Sequence, residues 1–229
     1  MDQLVKDFYH NLFPGFNETV TLEDSILATR VPVVDLNLNI NVDKLLKISK
    51  DIHIETVIRE RYPYEEHNRI PGWQQKMLWS EGTQSTLIND VYYQRIDPNY
   101  PVIEPDDQAQ QIQNELLTYG LDLKTCWLST LEPKGYIRPH RDIGLLINPL
   151  SYFWLPLENP PLAELKIYPY GTVNVKLGHV YLLNQENFVH SAINMSNIRR
   201  HVIIGHIKEP NDQLKTVITN SIKSQYQNG

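Results

Sequence analysis

Between Ser129 and Ile207 the chain reads as a succession of short strand-forming runs broken by turn residues, and no other stretch limits the possible folds as tightly. Ser151 to Leu157, Glu164 to Tyr168, Thr172 to Val175 and Val180 to Leu183 are the runs, and Asn-Pro-Pro, Pro-Tyr-Gly and Leu-Gly-His separate them. Many short strands with turns between them imply a barrel or a jelly roll. The series ends on Arg199-Arg200-His201-Val202-Ile203-Ile204-Gly205-His206-Ile207, a strongly apolar strand that opens with two guanidinium groups. A buried arginine there requires a carboxylate, and its planar fork suits a bidentate partner.

Three residues inside this frame carry chemistry. His140 and Asp142 sit two apart in Gly-Tyr-Ile-Arg-Pro-His-Arg-Asp. On an extended strand such residues point the same way, so both can grip one ion while Arg141 faces elsewhere. His190, in Asn-Phe-Val-His-Ser-Ala-Ile-Asn, must come from a strand distant in sequence and adjacent in space. Two imidazoles and a carboxylate form the facial triad that holds Fe(II) and leaves the opposite positions open. A lone His-x-Asp on a strand is common by chance; the distal Phe-x-His, and an arginine ten residues beyond it, narrow the reading. His10, His53 and His67 read as surface residues, His179 as structural at a turn, and His206 as a hydrogen-bonded core histidine. Arg199, beside Arg200 on a strand, is expected on the other face.

These words resemble the Fe(II)- and 2-oxoglutarate-dependent oxygenases, and the flanking residues most resemble the aspartyl/asparaginyl β-hydroxylase branch. There a serine stands eleven residues before the first histidine, followed by a Pro-x-Gly turn and Pro-His. Ser129-Thr130-Leu131-Glu132-Pro133-Lys134-Gly135-Tyr136-Ile137-Arg138-Pro139-His140 repeats that order. Leu182-Leu183-Asn184-Gln185-Glu186-Asn187-Phe188-Val189-His190 and Arg200 match the downstream word. The resemblance covers the second half of the chain. It implies a mainly β fold with flanking helices, a double-stranded β-helix of the cupin-like jelly-roll kind. It further implies that His140, Asp142 and His190 bind iron, that Arg200 and Ser129 bind 2-oxoglutarate, and that O2 is the other co-substrate. The reaction it implies is hydroxylation of a C–H bond, with succinate and CO2 released. The branch acts on Asp, Asn or Pro, in a peptide or protein or as the free amino acid. Some of its members have glycine in place of the carboxylate ligand, whereas Asp142 completes the triad here. The branch also carries Arg-x-His on the strand after the first histidine, where the nearest counterpart in this chain is Tyr152-Phe153-Trp154. Asn184 and Asn187 are placed to orient His190.

Two other classes fit part of the pattern. A non-catalytic cupin-like protein that binds metal or a small carboxylate would tolerate loss of a ligand, so the intact triad with Arg200 speaks against it. A zinc hydrolase could use two histidines and one aspartate, but it would leave Arg200 and Ser129 without a carboxylate to bind.

The remainder bounds the problem. The 229 residues read as a single domain: 1–120 with N-terminal helices, loops and early strands, 121–209 with the barrel core, and 210–229 as a C-terminal helix. A net charge of -6 argues against nucleic acid or a membrane surface as partner; the oligomeric state is left open. Cys126 is the sole cysteine, which excludes an internal disulfide and a thiolate cluster, and it reads as a buried strand residue. Residues 1–30 lack a continuous apolar run, so neither a signal peptide nor a membrane span is expected, and a reducing cytoplasm fits best. The sequons at Asn17 and Asn194 then read as idle. Helices are expected near Asp2 to Asn11, Val42 to Ser49, Asp106 to Tyr119 and Asn211 to Tyr226, and strands within Ile26 to Ile40 and at Met77 to Ser80. Tyr62 to Trp73 reads as mostly loop, either a substrate-facing lid or an ordinary connector.

Overall fold

The computed structural model describes residues 31–58, 69–82, 101–140, 152–185, 188–208 and 211–226. Its strands are β1 (Val33–Asp35), β2 (Glu55–Ile58), β3 (Arg69–Glu81), β4 (Val102–Ile103), β5 (Leu123–Leu131) and β6 (Tyr136–His140). They continue with β7 (Tyr152–Pro156), β8 (Ala163–Ile167), β9 (Gly171–Thr172), β10 (Tyr181–Leu183), β11 (His190–Asn194) and β12 (Arg200–Ile207). Three helices accompany them: α1 (Val42–Lys50), α2 (Asp107–Leu117) and α3 (Asp212–Tyr226).

The strands form two antiparallel sheets. The larger runs β1-β10-β7-β12-β5-β3-β2, with β4 added to β3, and the smaller runs β6-β11-β8-β9. Apart from β2-β3, β3-β4 and β8-β9, neighbours in each sheet are not consecutive in the chain, which is the jelly-roll arrangement expected from the short strands. The large sheet also draws β1, β2, β3 and β4 from the first 120 residues.

Alternation along the central strands explains why they are apolar at nearly every position. Phe153, Leu155, Leu182 and Ile203 face one core, packed with Leu45 of α1, Ile112 and Leu116 of α2, and Leu214, Ile218 and Ile222 of α3. Trp154, Tyr181, Leu183, Val202 and Ile204 face the other, packed against Leu165 and Ile167 of β8. The first core lies between the large sheet and the helices; the second lies between the sheets. With both faces buried, a strand has no polar side to display. The closest approach is at Gly205, where an added Cβ would stand 2.2 Å from the Thr125 carbonyl oxygen.

The local signals mostly hold. Asp106 caps α2 by accepting from Ala109 N at 2.9 Å, and Gly120, past its end, takes φ +75°. Cys126 is fully buried on β5, and burial pushes its thiol well up. Three expectations need correction. The stretch read as loop up to Trp73 is strand from Arg69 onward, because β3 pairs with β5 through Trp73↔Leu131 and with β2 through Ile58↔Arg69. Among the described residues of the stretch read as strands up to Ile40, Val33–Asp35 forms a strand, and of Thr172 to Val175 the strand keeps Thr172. The expected helix at Asp2 to Asn11 and the remainder of the loop, 62–68, lie outside the described residues. No helix among the described residues is long and apolar enough to cross a membrane.

Candidate metal and carboxylate site

His140 ends β6 and His190 begins β11, and the two are direct partners in the antiparallel ladder. Residues opposed in this way share a face. The next partner in the row is Ile167 of β8, which belongs to the core between the sheets. Both imidazoles therefore sit on the inward face of the small sheet, with ring centres 4.3 Å apart and planes inclined by 49°.

The local sequence aims them. From the His140↔His190 pair to the Ala192↔Ile137 pair, β6 has two intervening residues, Arg138 and Pro139, where β11 has one, Ser191. Pro139 has no N–H to give a regular ladder, so the strand bulges there, and a bulge beside a site redirects side chains. His140 Nδ1 lies 2.8 Å from the Arg138 carbonyl and His190 Nδ1 3.4 Å from that of Phe188, each two residues back. A neutral ring that donates through Nδ1 carries its lone pair on Nε2, the form in which imidazole ligates a metal. Backbone carbonyls thus orient both rings. Asn184 donates to the Val31 carbonyl at 3.2 Å, and Asn187 lies outside the described residues. Asp142 lies outside them as well, and among the described residues no three His, Cys, Asp or Glu side chains converge on a point.

Arg200 opens β12 on the inward face, in the row Arg200, Val202, Ile204 and His206. It is 2% exposed. Its Nη1 donates to the Glu164 carbonyl at 3.2 Å, across to the small sheet, and its guanidinium carbon lies 5.0 Å from the Trp154 ring centre. Nε and Nη2 are buried and have no hydrogen-bond partner among the described residues. Those two nitrogens form the side of the guanidinium whose N–H bonds run parallel, the edge that takes a carboxylate bidentately. Burial pulls the Arg200 pKa down to about 10, which leaves the group a cation at neutral pH. Arg199 pairs with Glu132 at the surface, as its neighbouring strand position requires.

Ser129 stands on β5 opposite Val202, one inward position along from the Leu131↔Arg200 pair. Trp73 Nε1 donates to its Oγ at 2.9 Å, so the hydroxyl accepts from the indole and has its own proton to give. Of the other histidines, His10 and His67 lie outside the described residues. His206 is buried edge-on between Trp127 and Tyr152, at 5.7 and 5.6 Å; His179 binds Asp35 at 3.0 Å; His53 is exposed.

Two features were invisible in the sequence. Trp154, which packs on Arg200, reads as one more apolar strand residue; its position on the strand after His140, where the resembling branch has Arg-x-His, was the available signal. Asn194 is the other. Its Nδ2 donates to the carbonyls of Leu131, Glu132 and Ile198, and its Oδ1 accepts from Ser196 Oγ at 2.6 Å. This buried knot ties the turn before β6 to the turn before β12, and so sets the first histidine and the arginine relative to each other. It also removes the Asn194 amide from the surface in the folded chain.

No protein-family model and no curated protein sequence matches the chain. Similar solved structures include an oxidoreductase of the 2OG-Fe(II) oxygenase family from Burkholderia pseudomallei, 11% identical over 72% of this chain and 76% of that one, with a TM-score of 0.47. A Pseudomonas putida prolyl-4-hydroxylase is 13% identical over 79% and 94%, TM-score 0.45. HygX from Streptomyces hygroscopicus, solved with nickel and 2-oxoglutarate bound, is 10% identical over 83% and 88%, TM-score 0.45.

Proposed function

We propose that the chain is an Fe(II)- and 2-oxoglutarate-dependent dioxygenase of the aspartyl/asparaginyl β-hydroxylase kind. In this reading it hydroxylates a C–H bond of an Asp, Asn or Pro residue in a peptide or protein, or of the free amino acid. The observation that carries it is the Nε/Nη2 edge of Arg200, buried and unpaired among the described residues, in the same interior that the two histidines face. A buried cation with two orphaned parallel donors is costly unless a carboxylate arrives, and a paired imidazole donor set suits a divalent transition metal.

His140 and His190 would hold the iron, with Asp142, two residues beyond His140, as the proposed third ligand. Iron with bound 2-oxoglutarate supplies oxygen activation, coupled to loss of CO2 and formation of succinate. The Arg138 and Phe188 carbonyls keep both rings in the ligating tautomer. Arg200 takes the far carboxylate of the co-substrate through Nε and Nη2, and Ser129, held by Trp73, donates its hydroxyl proton to the same molecule. Trp154, Val202, Ile204 and Ile167 make the surrounding space apolar, which strengthens these charge-assisted bonds and keeps water from the reacting centre.

The deciding experiment is an anaerobic titration of Fe(II)-loaded protein with 2-oxoglutarate, following the visible charge-transfer band, in wild type and Arg200→Ala. The expected result is a band in the wild type that needs far more 2-oxoglutarate in the variant. Absence of the band, with zinc retained instead, would direct the reading to hydrolysis or plain binding.

A further inference from the structure

We infer that Trp154 is a positioning residue for the co-substrate, holding the Arg200 guanidinium so that its Nε/Nη2 edge is presented to a carboxylate; this rests on the oxygenase reading. An arginine side chain has four rotatable bonds, and a fork that is to meet a carboxylate at two points has to be fixed in direction as well as place. Among the described residues Arg200 has no acidic partner to fix it: the guanidinium meets the Glu164 carbonyl at Nη1 and the Trp154 ring, 5.0 Å from its carbon. The carbonyl fixes one end of the fork and the ring bounds the group from another direction, leaving the Nε/Nη2 edge as the side that can bind.

The ring is itself held. Trp154 is 6% exposed, pairs with Ile204 and Tyr181 on the neighbouring strands, and meets the Tyr181 ring edge-on at 5.6 Å and 67°. Tyr181 is locked in turn, donating to the Asn174 carbonyl at 3.2 Å and accepting from Lys176 N at 2.8 Å. A rigid aromatic face attracts a desolvated guanidinium through its quadrupole without offering a competing oxygen. A carboxylate in the same place would neutralise the fork and occupy it. Trp154 therefore offsets part of the cost of burying Arg200 while leaving its binding edge unused.

The test compares two 2-oxo acids that share the metal-binding head: 2-oxoglutarate, and 2-oxobutyrate, which lacks the far carboxylate. Calorimetry on Mn(II)-loaded protein would measure both in wild type, Arg200→Ala, Trp154→Leu and Trp154→Phe. Trp154→Leu is expected to weaken 2-oxoglutarate by roughly 5- to 30-fold, leaving 2-oxobutyrate unchanged, with Trp154→Phe recovering most of the loss. Equal weakening of both ligands, or unchanged 2-oxoglutarate affinity in Trp154→Leu, would overturn the inference while Arg200→Ala still showed the co-substrate site. A wild type that does not prefer 2-oxoglutarate to 2-oxobutyrate would instead sink the oxygenase reading. If Trp154→Leu does not fold, wild-type protein labelled with ¹⁵N-arginine decides. The Arg200 Nε–H resonance, assigned with Arg200→Lys, is expected to show an upfield ring-current shift before and after 2-oxoglutarate is added. A resonance at the position of an exposed arginine would refute the positioning role.

Discussion

His140 on β6 and His190 on β11 stand directly opposite one another across the ladder, with ring centres 4.3 Å apart. The separation is set by adjacent strands, so it exists before any ion binds, and both rings meet through Nδ1 a carbonyl two residues back in the chain. A preformed pair of this kind lowers the ordering cost of binding.

Replacing either histidine with alanine should therefore abolish metal binding with little damage to the fold. The expected loss exceeds the roughly 10- to 100-fold that removal of an outer-shell partner costs. Calorimetric titration with Mn(II) measures it, beside Asp142→Ala as the proposed third ligand. Unchanged affinity in His190→Ala would place the metal elsewhere.

Arg200 should show the opposite balance between stability and binding. It is a buried cation with two donors unpaired among the described residues, so Arg200→Met is expected to raise the stability of the ligand-free protein by about 1–3 kcal/mol while 2-oxoglutarate binding disappears. Urea denaturation without ligand reads the first effect. A destabilised Met variant would mean that the fold, rather than a ligand, depends on the guanidinium.

Asn194 belongs to the scaffold. Asn194→Ala removes a buried amide that serves three carbonyls and accepts from Ser196, leaving the Leu131 and Glu132 carbonyls without that donor while Ser196 Oγ still reaches the Ile198 carbonyl. The expected cost is roughly 3–5 kcal/mol, with weaker 2-oxoglutarate binding in whatever folded protein remains, because Arg200 follows this turn. Thermal unfolding within error of wild type would show that the knot contributes nothing.

What the sequence made legible follows from spacing along one strand. His140 and Asp142 at i and i+2, Phe188-x-His190, and Arg200 ten residues on are local facts, and of these the structure brings His140, His190 and Arg200 to the inward faces of the two sheets. The alternating cores on β7, β10 and β12 were legible only as apolar runs, since a strand buried on both faces carries no period to show which residues look inward. Trp154 and Trp73 went unassigned for a related reason: a tryptophan under an arginine, or one donating to Ser129, depends on the register between strands far apart in sequence. The register of β3 on β5 likewise overrode the turn signals of Pro71 and Gly72. Asn194-Met195-Ser196 has the form of a surface motif, yet its asparagine is buried, with its amide turned to three carbonyls from two separate turns.

Acid should weaken the fold through His201 and Glu158, which meet at 2.7 Å on the helix side of the large sheet, with Lys50 of α1 also bound to Glu158. Burial holds His201 below its ordinary value of 6.5, even though the Glu158 carboxylate pulls the other way. Burial alone would raise Glu158, but Lys50 and His201 hold it below 4.5. Both groups bind fewer protons folded than unfolded, so stability is complete above about 6.5 and declines as the pH falls, first through His201 and then, below about 4.5, through Glu158. Urea denaturation of wild type and His201→Gln across this range separates the two steps. The variant should lose the decline that begins near 6.5 and keep the one at lower pH. A wild-type curve that is flat through the upper window, or one that rises on acidification, would mean that the carboxylate outweighs burial and that His201 is protonated in the folded protein.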